Sequence, residues 1–200
     1  MRRGSPHMES KDAIHTANRQ RWEASAASWG EHADSRGVWR RCPTGPELVL
    51  GASELKYLAD LRGKRVAVLG SGNNQVVFVL AGMGASVTSV DVAQQQLDIA
   101  QRRAREFGLA VEFVRADVTD LAAFANNSFD VVYTGGHVTV WVADLSSYYL
   151  APTAIGRRDA AERAVLETQR VRTQPAIDHA RNGRTAVADC VGSPMSPSRW

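Results

Sequence analysis

The stretch "VAVLGSGNNQVV", residues 66–77, sets a run of small and β-branched residues, a closely spaced glycine pair and a second apolar run in direct succession. Read outward from Gly70, "RVAVLG" has the composition of a strand buried on both faces, and "NNQVVFVLAGMG" that of a short helix stopped by glycines. A turn from strand to helix needs glycine where the backbone takes positive φ or approaches a ligand. The helix that follows offers unpaired N–H groups to anionic partners. Gly70 and Gly72 meet the first need, with Ser71 between them, while Asn73 and Asn74 tolerate left-handed backbone and can cap a helix beginning at Gln75. A dinucleotide turn, G-x-G-x-x-G, requires glycine at position 75, so Gln75 disfavours NAD. On these residues alone a plain tight turn explains the stretch as well as a ligand loop does.

Downstream, "SVTSVD" is a second strand that ends on Asp91, 19 residues after Gly72. A carboxylate there can accept hydrogen bonds from both hydroxyls of a ribose, which indicates a nucleoside. "AQQQLDIAQRRAREFG" brings Leu97, Ala100, Ala104 and Phe107 onto one helical face, "VEFVRAD" is a third strand, and "FDVVYTGG" is a fourth after the turn-like "NNS". Asp117, just past the third strand, can accept a hydrogen bond from an adenine amino group. Either aspartate by itself serves equally as a cap or turn residue. At the carboxyl ends of successive strands beside the glycine turn, the two outline one crevice. The alternation of strand and helix predicts an α/β fold, a Rossmann-like doubly wound and mostly parallel sheet with right-handed helical crossovers.

Before this core, residues 10–34 place Ile14, Trp22, Ala26, Trp29 and Ala33 at intervals of one helical face, and Leu55, Leu58 and Leu61 mark a second helix that stops at Gly63. Residues 9–62 are therefore predicted to form an N-terminal helical cap, joined through the Gly- and Pro-punctuated loop "SRGVWRRCPTGP", and residues 63–150 the core. Residues 1–8 read as a vector-derived tag ending in "GSPHM", with Met8 as the natural start. The 200 residues carry a formal charge of only +3, which gives no indication of nucleic-acid binding. Cys42 and Cys190 lack disulfide-framework or zinc spacing, so no metal is expected, and a reducing cytoplasm is. No run of apolar residues is long enough for a membrane span, and none follows the basic start as a signal peptide requires.

Residues 15–150 resemble the class I S-adenosylmethionine-dependent methyltransferases. The resemblance is carried by "VAVLGSGNNQ" as the first cofactor motif, "VTSVD" as the acidic second strand, "RADVTDL" as the adenine loop and "FDVVYTGGHV" as the fourth strand with its loop. It implies S-adenosyl-L-methionine as cofactor. Gly70, Ser71, Gly72, Asn73 and Asn74 would hold its methionine part, Asp91 with Val92 its ribose, and Asp117 with the Val118 amide its adenine, while Thr134, Gly135 and Gly136 would face the sulfonium. Many relatives carry an acid where this chain has Val68, and the Asn73-Asn74 pair is expected to compensate.

The resemblance further implies methyl transfer to an oxygen, nitrogen or carbon nucleophile of a small molecule. Such transfer needs mainly alignment of acceptor, methyl and sulfur. His137 is the candidate catalytic base, since its ordinary pKa lies near neutrality, although a loop histidine with a structural hydrogen bond fits the same position. Trp29, Tyr133 and Trp141 are candidates for the acceptor pocket, with plain packing as the competing role. His32, with Trp22 and Trp29, lies on the first helix, which in similar enzymes closes over the cofactor.

After Leu150 the pattern departs from the family, which continues with a helix, a Pro-Gly-Gly-like turn and a fifth strand. Residues 151–200 hold eight Arg, no Lys, four Pro and Trp200 as their single aromatic, a composition that cannot supply core strands and reads as a mobile tail. A frameshift, strong divergence or an artificial segment would each produce such a shift. A weak helix is expected over residues 159–171. Without a fifth strand, "FDVVYT" becomes a sheet edge that favours homo-oligomers. Two rival functions stay open: a SAM-binding fragment without catalysis and, more weakly, an NAD(P)-dependent oxidoreductase.

Overall fold

A computed structural model describes residues 10–135 and 138–157. The first helix, α1 (Lys11–Arg36), begins where the Ser10 hydroxyl accepts the Ala13 N–H at 3.2 Å and stops at Gly37, whose φ of 63° ends it in left-handed backbone. Two single 3₁₀ turns, Val38–Arg40 and Pro46–Leu48, carry the chain to α2 (Ala52–Tyr57). This second helix is shorter than its leucine spacing predicts. Leu58 and Leu61 are buried from an irregular segment beyond it, because packing rather than helical phase decides their placement.

The core runs β1 (Arg65–Leu69), α3 (Val76–Gly82), β2 (Ser86–Asp91), α4 (Gln94–Glu106), β3 (Val111–Arg115), β4 (Val131–Thr134) and α5 (Leu145–Ile155). All strand pairs are parallel, in the order β3-β2-β1-β4. The predicted α/β doubly wound sheet is therefore present, with its N-terminal helices.

Alternation along the strands divides the core. Val66 and Val68 of β1, Val87 of β2 and Tyr133 of β4 belong to the cluster that contains α3, Trp39 and Leu58. Ala67, Leu69, Val90 and Val132 belong to the cluster with Tyr148 and Ile155 of α5. Helix α3 is buried from Val76 through Leu80, which explains why its sequence is apolar without helical periodicity. At its end a Cβ on Gly82 would lie 2.0 Å from the Pro43 carbonyl oxygen, so only glycine lets the two backbones meet.

Residues 151–155, expected to open the tail, instead complete α5. Asp144 caps this helix by accepting the Ser147 N–H at 3.1 Å, and Tyr148, Pro152 and Ile155 form its buried stripe. Pro152 and the small residues around it hid that stripe from the sequence. The chain then runs parallel beside the segment before β4: Phe129 N–H donates to the Ile155 carbonyl at 3.0 Å, and Arg157 N–H to the Phe129 carbonyl at 2.9 Å. This is the start of a fifth position in the sheet, on the far side of β4 from β1. The expected helix over 159–171 lies outside the described residues.

Candidate functional site

The glycine turn leaves β1 with φ of 61° at Gly70 and 50° at Gly72, both in the region that glycine tolerates at no steric cost. A Cβ at Gly70 would approach both methyls of Val138 to 2.8 Å. Polar contacts fix the turn. The Ser71 and Ser89 hydroxyls lie 2.7 Å apart, Ser71 N–H donates to the Val90 carbonyl at 3.1 Å, and the Asn74 carboxamide oxygen accepts the Val76 N–H at 3.0 Å, capping α3. Asn73 donates to Gln96 of α4 and accepts from Arg103 at 3.4 Å. The asparagine pair thus anchors the turn, while Val68 is buried in the core.

Asp91 sits at the carboxyl end of β2. One carboxylate oxygen accepts Gly72 N–H at 2.7 Å and the other Ala93 N–H at 2.9 Å, and the Val92 N–H also bonds to this carboxylate. Burial pushes its pKa up, and the bonds from Ala93 and Gly72 oppose that shift. Asp117, past β3, has Oδ1 occupied by Thr119 N–H at 2.9 Å and Thr119 Oγ1 at 2.7 Å, with His15 Nδ1 3.0 Å from Oδ2.

These groups surround one cavity of about 530 Å³, lined by Gly70 to Asn74, Asp91, Val92, Asp117, Val118, Trp29 and Trp141 among others. The residues quoted from three separate motifs therefore meet in space. Helix α1 forms the opposite wall. Glu23 takes the first amides of α4, Gln94 at 2.7 Å and Gln95 at 3.0 Å, and Asn18 donates to the Trp141 carbonyl at 2.7 Å. Trp22 packs edge-on against Trp141 with ring centroids 5.0 Å apart and tilts against Trp29 at 6.2 Å.

Tyr133 does not belong to this cavity, a correction to its expected place in the acceptor pocket. Strand alternation turns it to the other cluster, where it is buried and donates to Glu54 Oε1 at 2.9 Å. Thr134 is also buried, sharing a hydrogen bond with the Tyr148 hydroxyl. Gly135 lies beside Asn74, 4.0 Å from its side-chain nitrogen to an ideal Cβ. Gly136 and His137 fall outside the described residues.

Several wall residues were not singled out from the sequence: His15, Asn18 and Arg36 of α1, Gln96 of α4 and Val138. The three on α1 share helical spacing with Trp22, Trp29 and Ala33. Polar side chains on the apolar face of a helix were the available signal.

Residues 67–150 match the family profile described as "Methyltransferase domain". A ubiquinone biosynthesis O-methyltransferase of Xanthomonas euvesicatoria pv. vesicatoria is 31% identical over 122 residues, 60% of this chain and 48% of that protein. One from Cereibacter sphaeroides is 28% identical over 151 residues, 72% of this chain and 60% of its own length. The chain thus spans roughly half the length of these relatives. The solved structure of Haemonchus contortus phosphoethanolamine N-methyltransferase 1, in complex with phosphoethanolamine and S-adenosylhomocysteine, superposes with a TM-score of 0.54 at 18% identity, covering 74% of this chain and 31% of that one, a likeness of fold.

Proposed function

We propose that this chain is a class I S-adenosylmethionine-dependent methyltransferase, a reading supported by the methyltransferase-domain match over residues 67–150. Its proposed reaction is transfer of a methyl group from S-adenosyl-L-methionine to an oxygen, nitrogen or carbon nucleophile of a small molecule. The observation that carries this is the meeting of the Gly70–Asn74 turn, Asp91 and Asp117 around one cavity at the carboxyl ends of adjacent parallel strands. The donor set fits the cofactor. Asp91 brings a carboxylate acceptor for a ribose diol to the end of β2 beside the turn, and the turn presents backbone where a side chain at Gly70 would clash.

When bound, the cofactor supplies a methyl group on a positively charged sulfur, already a good leaving group. The chain's part is alignment and exclusion of water. Gly70, Ser71, Gly72, Asn73, Asn74 and Gly135 hold the methionine end in this proposal, Asp91 with Val92 the ribose and Asp117 with Val118 the adenine. Thr134 acts through Tyr148 as support. Trp29 and Trp141 border the acceptor, and His137 takes its proton. His137→Ala should slow methylation by about a hundredfold and leave cofactor affinity nearly unchanged; a small rate effect would reduce it to scaffold.

Calorimetry with S-adenosylhomocysteine and NAD tests the cofactor assignment, since Gln75 should make the first bind far more tightly. Turnover of S-adenosylmethionine to S-adenosylhomocysteine with a small-molecule acceptor separates the enzyme from a SAM-binding fragment, the reading favoured by a described sheet that ends just past β4. Self-association through the β4 edge and a cytoplasmic setting belong to the same proposal. Among the described residues no helix is long and apolar enough to cross a membrane. Light scattering at two protein concentrations checks the first, and an unchanging monomer mass would remove it.

A further inference from the structure

Asp117 is held by three donors from its own chain, and the third comes from far away. The Ala143 N–H donates to His15 Nε2 at 3.0 Å, so that nitrogen is an acceptor and the ring proton resides on Nδ1, 3.0 Å from Asp117 Oδ2. The imidazole is thereby fixed at both nitrogens. Thr119 fills Oδ1 with two hydrogen bonds, so among the described residues the acceptor position left open on Asp117 is the second lone pair of Oδ2. Both His15 and Asp117 line the cavity.

We propose that His15 is a positioning residue that sets base selectivity: it orients Oδ2 of Asp117 so that its one open lone pair accepts an exocyclic amino N–H and rejects a carbonyl at the same place. This rests on the assignment of the Asp117 end of the cavity to the purine. Adenine and hypoxanthine differ there in complementary ways. Adenine presents an amino donor at C6, whereas hypoxanthine presents an oxygen at C6 and moves a donor to N1. A carboxylate able to swing could follow that donor from C6 to N1. One pinned by Thr119 on one oxygen and His15 on the other cannot, and the C6 oxygen then faces a negative oxygen with no proton between them. Asp117 alone supplies the acceptor, while His15 supplies the direction.

The test is calorimetry on the full chain with S-adenosylhomocysteine and S-inosylhomocysteine, comparing wild type with His15→Ala and His15→Asn. Wild type should favour the adenosyl ligand by about tenfold to a hundredfold. His15→Ala should cut that preference by about tenfold, chiefly by weakening the adenosyl ligand. The asparagine amide can stand where Nδ1 stands, so His15→Asn should restore most of the preference although its contact to Ala143 is lost. If His15→Ala weakens both ligands equally, or His15→Asn fails to restore the preference, His15 merely ties α1 to the segment before α5 and the inference falls. Should His15→Ala not fold, His15→Phe, which keeps the ring without its donor, takes its place and should lose the preference in the same way. Wild type binding both ligands equally overturns the inference while the cofactor assignment stands; wild type binding neither overturns both.

Discussion

Around the carboxyl ends of β1 and β2, polar contacts join residues one crossover apart: Gly72 to Asp91, Ser71 to Ser89, Asn73 to Gln96. Around β4 and the segment after it the partners come from the opposite end of the chain, with Tyr133 bonded to Glu54, Ala143 to His15, the Trp141 carbonyl to Asn18 and Asp144 to Lys11. In the first region both partners of each of these bonds lie in the continuous stretch from β1 to α4. The second exists only once the N-terminal helices have docked. The glycine turn is thus largely a local product of its sequence, while the opposite wall of the cavity depends on long-range assembly.

The largest effect should come at the far end of α3, where the crossover between β1 and β2 meets the N-terminal segment. At Gly82 a Cβ would sit 2.0 Å from the Pro43 oxygen and 2.8 Å from its carbonyl carbon, and backbone cannot retreat as a flexible side chain can. Gly82→Ala should cost about 3 kcal/mol in thermal or denaturant unfolding, the upper part of the usual range for overpacking. An unchanged melting curve would show that the loop bearing Pro43 is not pinned to α3.

Next in size is Asp91→Ala, which should weaken S-adenosylhomocysteine binding by about ten- to a hundredfold in calorimetry, the value of hydrogen bonds to a charged group. Unchanged affinity would remove the ribose assignment. Because burial raises the Asp91 pKa, protonation sets in at higher pH than for an exposed aspartate, and affinity should decline on acidification as the acceptor gains a proton. An Asp91→Asn variant should lose that part of the pH dependence.

In the second region, Tyr133→Phe removes the phenol from Glu54, which is 5% exposed and among the described residues otherwise keeps its bond from Gly51 N–H at 2.9 Å. An under-satisfied buried acceptor should cost about 1 to 2 kcal/mol of stability. Cofactor affinity and acceptor turnover should stay at wild-type values. A change in acceptor KM without a change in stability would return Tyr133 to the pocket from which strand alternation excludes it.

What could be read in the sequence follows the same division. Gly70, Gly72 and Asp91 were legible because each needs only a local rule: positive φ at a turn, or a carboxylate at a strand end. Asp117 was legible as an acceptor, but His15, 102 residues earlier, was not, since nothing local connects α1 to the end of β3. Tyr133 was misplaced for a related reason. A four-residue strand buried on both faces has no polar alternation to tell which side chain faces the crevice, and Glu54, the group that resolves it, lies on α2. Helix α5 was missed past Leu150 because Pro152 occupies its buried stripe, where sequence rules place a helix end.

The smallest effect concerns the outermost of the long-range ties. The Lys11 ammonium lies 2.7 Å from Asp144, and with the Ser147 N–H it holds that carboxyl down at about 2, against an ordinary value of 3.8. A depressed carboxylate pKa contributes stability that is complete above the unfolded value and disappears as pH falls through the folded one, so this contribution should be lost between about pH 4 and about pH 2. The pair is largely exposed on the lysine side, so salt should screen it. Asp144→Asn keeps an oxygen for the Ser147 N–H and removes only the charge. Its melting temperature should lie slightly below wild type near neutrality and converge with it as the wild-type carboxyl takes up its proton, and the gap should narrow in high salt. A gap that persisted unchanged at low pH would assign the effect to the geometry of the α5 cap instead of to the charge pair, leaving Asn18, His15 and Trp22 as the contacts that tie the N-terminal helix to this part of the fold.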